Sequence, residues 1–145
     1  MKPLVDSTAK GAAEADRSAI MATLRAYQTA LNAADTTAVL PLYEPDGVFM
    51  QPYGPSAIGT DEIRRTYDAD FRMLRLQVTF QVAELQMLSP EWAFVRTNSA
   101  GTNTLLASGA QSAEANQELF ILHRAIDGSW KIARYSFSST NPPRV

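Results

Sequence analysis

Leu74-Arg75-Leu76-Gln77-Val78-Thr79-Phe80-Gln81-Val82 alternates apolar and polar side chains without a break. A period of two puts Leu74, Leu76, Val78, Phe80 and Val82 on one face, which predicts a long strand with one apolar side. Just upstream the period is different. Ile63, Tyr67 and Phe71 recur at spacing four, the stripe of an amphipathic helix. Thr60 is placed to cap that helix, and Asp61 and Glu62 fall in its first turn, where the helix dipole favours acids. Earlier still, Ile20, Leu24, Tyr27 and Leu31 mark a second stripe, predicting a helix from Ala15 that stops near Asn32-Ala33-Ala34. Asp35 then caps a short helix by accepting from Thr37 or Ala38, and Pro41 makes that segment short, bent or partly 3₁₀. Val48-Phe49-Met50-Gln51 reads as a short strand closed by Pro52.

Downstream of the alternating stretch, Ser89-Pro90 turns the chain, and Trp92 to about Asn103 predicts a further strand. Residues 104–114 are rich in Ala, Ser and Gly and read as a loop or a weak strand end. Asn116 to Ala125 and Trp130 to Ser139 predict two strands around Asp127-Gly128, a strong hairpin turn signal, and Asn141-Pro142-Pro143 closes the fold. Residues 1–14, small and polar, read as a flexible segment before a single domain over 15–145. Three helices followed by hairpin-joined strands define an α+β class, with the helices packed on one face of a strongly bent, mostly antiparallel sheet. Such a sheet closes toward a cone-like α+β barrel whose interior is a small-molecule site.

Composition limits the chemistry. The 145 residues include no Cys and a single His, with 13 Lys+Arg against 15 Asp+Glu. A thiol nucleophile, a disulfide frame and a thiolate metal site are therefore excluded, and His123 alone makes no two-histidine metal site. No metal and no cofactor is expected, and any acids and bases are carboxylates and tyrosines. A net charge of -2 argues against nucleic acid as a partner. Arg64, Arg65, Arg72 and Arg75 interleave with Asp61, Glu62, Asp68 and Asp70, the pattern of a solvated helix face. No apolar run approaches the roughly 18 residues of a membrane span, and the first residues lack the apolar stretch of a signal peptide, so a cytoplasmic location is expected.

Tyr27 to Asp35, Leu42 to Gly47 and Gly59 to Tyr67 together resemble the nuclear transport factor 2-like superfamily, in particular its ketosteroid isomerase and SnoaL-like group. Trp92 to Thr97 and Gly128 to Tyr135 look still more like its bacterial SgcJ/EcaC-type proteins. The resemblance runs from about Ala15 to Pro142 and implies the cone fold, a homodimer and a small-molecule ligand. It says less about the reaction, because one fold hosts many functions.

In ketosteroid isomerases a Tyr on the first helix, eight residues before the Asp that ends it, donates a hydrogen bond to an enolate oxygen. Tyr27 stands eight residues before Asp35, and the family's supporting Tyr on the third helix matches Tyr67. The second oxyanion donor is a protonated Asp two residues before an aromatic; Glu118 stands two residues before Phe120. Pairing the hairpin about Asp127-Gly128 sets Glu118 opposite Phe137 and places Glu118, Phe120, Tyr135 and Phe137 on one face, which the likeness makes the cavity lining. Tyr27, Tyr67 and Glu118 are thus the candidate catalytic residues.

The family's proton-shuttling Asp precedes the Pro that closes the first strand, and here Gln51 takes that place, with Phe49 beside it. An amide accepts no proton near neutral pH, so true ketosteroid isomerisation is not expected. Arg96 and Asn98 stand where the isomerases have apolar cavity residues. Arg96 either pairs with Glu118 or awaits an anionic ligand such as a carboxylate or enolate. The same pairing sets His123 opposite Ile132 and away from the cavity. A one-residue bulge would exchange the faces and bring Ile121, His123 and Arg134 inward instead. The functions that fit are an isomerase, cyclase or dehydratase-type enzyme on a small cyclic or polyketide-like carbonyl compound, enolisable or anionic, or else a non-catalytic binding or oligomerisation module.

Overall fold

The Ile20–Leu24–Tyr27–Leu31 stripe lies on helix α1 (Ser7–Asn32), all four residues buried against the sheet. This computed structural model describes residues 7–142; residues 1–6 of the expected flexible segment, and Pro143 of the closing turn, lie outside them. Helix α1 begins eight residues before the Ala15 start expected from its apolar stripe, across a stretch in which Ala9, Ala12, Ala13, Lys10 and Glu14 favour helix and Gly11 does not. It ends where expected. The Asp35 N–H reaches the Ala30 carbonyl at 3.0 Å and the Ala34 N–H reaches Leu31 at 3.1 Å, with Ala34 left-handed at φ 52°. Asp35 then caps α2 (Thr36–Val39), its Oδ1 accepting from the Ala38 N–H at 3.1 Å. Pro41 sits in the 3₁₀ turn Leu40–Leu42.

Strand β1 (Tyr43–Met50) is longer than the expected Val48–Gln51, and a two-residue strand β2 (Ala57–Ile58) pairs with it. Helix α3 (Gly59–Met73) buries Ile63, Tyr67 and Phe71 as its spacing requires. Thr60 does not cap it: Ile58 holds the cap position, and the Glu62 carboxylate accepts from the Ile58 N–H at 2.7 Å. Strands β3 (Leu74–Met87), β4 (Trp92–Leu105), β5 (Gln111–Arg124) and β6 (Trp130–Ser139) follow. The expected loop over 104–114 shrinks to a short turn, since Thr104 and Leu105 complete β4 and residues 111–114 open β5. Small residues there pair as well as large ones, because the ladder is made by the backbone.

The six strands run in the order β2-β1-β6-β5-β4-β3, all antiparallel except β1 beside β6. Three helices on the inner face of this bent sheet make the cone-like α+β fold. The β5–β6 hairpin aligns Glu118 with Phe137 and Phe120 with Tyr135, as expected, but for a different reason. The turn is one residue longer than a two-residue loop: the Gly128 N–H donates to the Ala125 carbonyl at 2.9 Å, Gly128 is left-handed at φ 87°, and the Ala125 N–H donates to Ser129 at 2.7 Å. A bulge then restores the register, because the ladder shifts between Leu122–Ile132 and Ile121–Arg134, leaving Ala133 extra. Consequently His123 lies opposite Lys131 rather than Ile132.

Candidate functional site

Glu118 on β5 is 5 % exposed, and its two oxygens are both engaged. Thr97 Oγ1 donates to Oε1 at 2.6 Å and Ser99 Oγ donates to Oε2 at 2.6 Å. Both hydroxyls come from β4, which pairs Thr97 directly with Glu118, so the clamp is set by strand register. Burial pushes the Glu118 carboxyl up, and the Ser99 and Thr97 hydroxyls oppose that rise without cancelling it. Across the cavity the Tyr67 hydroxyl lies 2.7 Å from Tyr27 and 2.7 Å from Tyr43, forming a chain of three buried phenols. Burial raises all three well above the ordinary tyrosine value, so they are neutral hydrogen-bonding groups.

The cavity between these groups measures about 170 Å³. That is close to the ~150 Å³ known to hold one benzene, and below the roughly 300 Å³ at which drug-sized sites begin. A ligand of one or two rings fits it. Phe49, Tyr67 and Tyr135 stack along one wall, with Phe49 4.8 Å from Tyr67 and 5.5 Å from Tyr135. Phe137 and Gln51 line the same cavity, whereas Phe120 lies behind Tyr135, stacked on it at 4.1 Å.

Two expected residues are elsewhere. Arg96 and Asn98 are exposed on the outer face of β4, and Arg96 Nε meets Glu84 at 2.6 Å instead of Glu118. The inward residues of β4 are Ala93, Val95, Thr97 and Ser99, the opposite parity. The strand carries Trp92 and Phe94 on one side and Ala93 and Val95 on the other, so apolarity alone does not choose a face. His123 faces outward as expected, stacked 4.2 Å from Trp92, bonded to Glu44 and 3.7 Å from Glu91. Arg134 is exposed too.

Sequence reasoning missed Thr97, Ser99, Tyr43 and three acidic or amide groups that line the cavity: Asp70, Glu114 and Asn116. Asp70 lies one helical turn after Tyr67, which could have flagged it. Glu114 accepts from the side-chain amides of Asn103 at 3.1 Å and Asn116 at 3.0 Å. Burial raises Asp70 to about 6. Asp70, Glu114 and Glu118 line the cavity with no Lys, Arg or His among its lining residues. No group of three or more potential metal ligands occurs among the described residues.

An α+β cone with a tyrosine chain facing a buried acid defines the class: a nuclear transport factor 2-like protein of the ketosteroid isomerase-like kind. More narrowly, the chain belongs to the SnoaL-like domain family, which matches residues 24–135. A ketosteroid isomerase-like protein from Erwinia carotovora atroseptica is 40% identical, with a TM-score of 0.83 over 86% of this chain and 96% of that one. A candidate scytalone dehydratase from Novosphingobium aromaticivorans superposes with a TM-score of 0.79 at 16% identity, covering 91% of this chain and 89% of its own. A hexachlorocyclohexane dehydrochlorinase reaches 0.80 at 11% identity over 91% and 90% of the two chains. The last two likenesses establish the fold alone. No curated protein matches the sequence significantly. No described helix is long and apolar enough to cross a membrane.

Proposed function

We infer that the cavity binds a small cyclic or polyketide-like carbonyl compound and promotes an isomerase, cyclase or dehydratase-type step by stabilising its oxyanion. The observation that carries this reading is that Tyr27 and Tyr67 line the same cavity as Glu118, with Tyr43 bonded to Tyr67 behind them. Tyr27 donates to the ligand oxygen, and the two phenols behind it strengthen that bond cooperatively. Glu118, raised by burial, supplies the second donor in its protonated form, its one proton directed to the ligand while the Ser99 and Thr97 hydroxyls go on donating to its oxygens. Gln51 makes a steroid-type proton shuttle through position 51 chemically unavailable, and the cavity volume favours a ligand smaller than a steroid.

Gln51 also supports a second reading, a binding protein without chemistry. Incubation with single- and two-ring ketones, followed by NMR and mass spectrometry, separates the two. Conversion that falls ~10²-fold in Tyr27→Phe and Glu118→Gln supports the enzyme, in line with the loss of one oxyanion donor. Ketones recovered unaltered from a saturated protein support the binder. Self-association through the outer sheet face belongs to the same proposal, and sedimentation equilibrium tests it through the mass.

A further inference from the structure

We propose that Asp70 is the proton acceptor of this cavity, replacing on α3 the base that position 51, just past β1, lacks. The inference rests on the carbonyl-enzyme reading above. Gln51 and Asp70 line the inner cavity together, and both also line a surface cleft, so Asp70, like Gln51, stands between the cavity and the cleft. Hydrogen bonds donated to an ionised carboxylate lower its basicity, and the three cavity carboxylates differ in that respect. Glu118 is held by two hydroxyls and Glu114 by two side-chain amides. Asp70 has no ion pair and no side-chain hydrogen bond among the described residues. Its position is half-buried, which keeps the ionised form reactive while leaving a path for the proton to reach water.

The remaining groups fit around it. Tyr27 on α1, Glu114 and Glu118 on β5 and Tyr135 on β6 share the cavity with Asp70, while Glu62 and Arg65 of α3 share the outer cleft. None of them is a cation inside the cavity that would neutralise the carboxylate. An Asp raised to about 6 by desolvation is ionised at neutral pH and is a stronger base than one in water. In the step itself, a C–H bond beside the ligand carbonyl breaks and its proton bonds to an Asp70 oxygen. The electron pair becomes the C=C bond of an enolate, and the displaced carbonyl π pair rests on the oxygen held by Tyr27 and Glu118. Return of the proton to another carbon completes an isomerisation, and return from solvent to the same carbon gives exchange.

Exchange is the test. The probe is 2-tetralone, a two-ring ketone with an acidic benzylic position, added to the purified full chain in D₂O. NMR reads the loss of the α-proton signal, and saturation-transfer NMR reads binding separately. The wild-type protein is expected to accelerate exchange over buffer, with a rate that rises with pH through an apparent pKa near that of Asp70. Asp70→Asn should lose at least ~10²-fold of that acceleration and the pH limb while still binding the ketone. Asp70→Glu, which restores a carboxylate, should recover part of it, and Glu118→Gln should slow exchange while keeping the limb. Wild-type exchange in Asp70→Asn, with Tyr27→Phe slowed, overturns the Asp70 assignment and leaves the enzyme reading standing. A wild-type protein that fails to exchange the ketone, whether or not it binds it, overturns the enzyme reading and the role of Asp70 with it.

Discussion

Asn32 holds the backbone of Val78 at both ends: its Nδ2 donates to the Val78 carbonyl at 2.8 Å and its Oδ1 accepts from the Val78 N–H at 2.9 Å. One turn earlier on α1, Gln28 Oε1 accepts from the Phe80 N–H at 2.9 Å. Strand β3 is the edge of the sheet, so these amides stand where a seventh strand would bond. Such an edge is otherwise open to pairing with another chain. Asn32→Leu should therefore lower stability by about 1–3 kcal/mol, the cost of leaving partly buried backbone groups without partners. Urea unfolding measures it, and an unchanged midpoint would show that water replaces the amide at no cost.

Gly101 faces Val78 across the β3–β4 ladder. A Cβ at position 101 would lie 1.8 Å from the Gln77 carbonyl oxygen, so the two strands can adopt this spacing only with glycine. Gly101→Ala should destabilise the protein by at least ~1–3 kcal/mol through overpacking. Thermal unfolding should show a clear drop; a midpoint equal to the wild type would mean that the strands separate freely.

The fold was legible wherever periodicity was strong. The stripes of α1 and α3 and the alternation of β3 from Leu74 to Phe80 gave the correct inward faces, because burial of apolar side chains is what the period encodes; Val82, expected on the same face, is exposed where the β3–β4 ladder shifts register. Signals carried by backbone geometry were not legible in that way. Glu118 faces Phe137 because a lengthened turn at Gly128 and a bulge at Ala133 cancel, and neither leaves a mark in side-chain polarity. In β4 both faces are apolar near Trp92, so the sequence does not mark Thr97 and Ser99 as the hydroxyls that serve a buried acid. Asp70 was hidden inside an acidic and basic helix surface, since only the packed structure separates its neighbours from the solvated ones.

Stability should depend on Asp70 and pH in a defined direction. Its carboxyl titrates near 3.8 when unfolded and at about 6 when folded. Between those values the folded chain keeps a proton that the unfolded chain has released. The contribution is therefore full below about pH 4 and is lost as pH rises through 6. Because the group is partly exposed, the swing is on the order of 1 kcal/mol after solvent screening. Urea curves from pH 4 to 7 should fall more steeply for the wild type than for Asp70→Asn, and parallel curves would contradict the assignment.

Ligand charge should matter in the direction opposite to that expected from an inward Arg96. With Asp70 and Glu114 lining the cavity and no Lys, Arg or His among its lining residues, a carboxylate ligand meets like charge with no cation to offset it. Cyclohexyl methyl ketone should bind at pH 8 at least ~10-fold more tightly than cyclohexanecarboxylate, a difference of about 1.4 kcal/mol. Saturation-transfer competition measures the ratio. Tighter binding of the carboxylate would mean that a cation reaches the site.

The three phenols of Tyr27, Tyr67 and Tyr43 have a property that a fixed donor such as a backbone N–H lacks. Either hydroxyl of each 2.7 Å contact can be the donor, so the polarity of the chain follows what touches Tyr27. A carbonyl turns all three hydroxyls toward itself, and a donor such as an alcohol or an ammonium turns them back. The interior thus presents a reversible dipole, able to meet the oxygen of a ketone and the hydroxyl of an alcohol with the same three side chains.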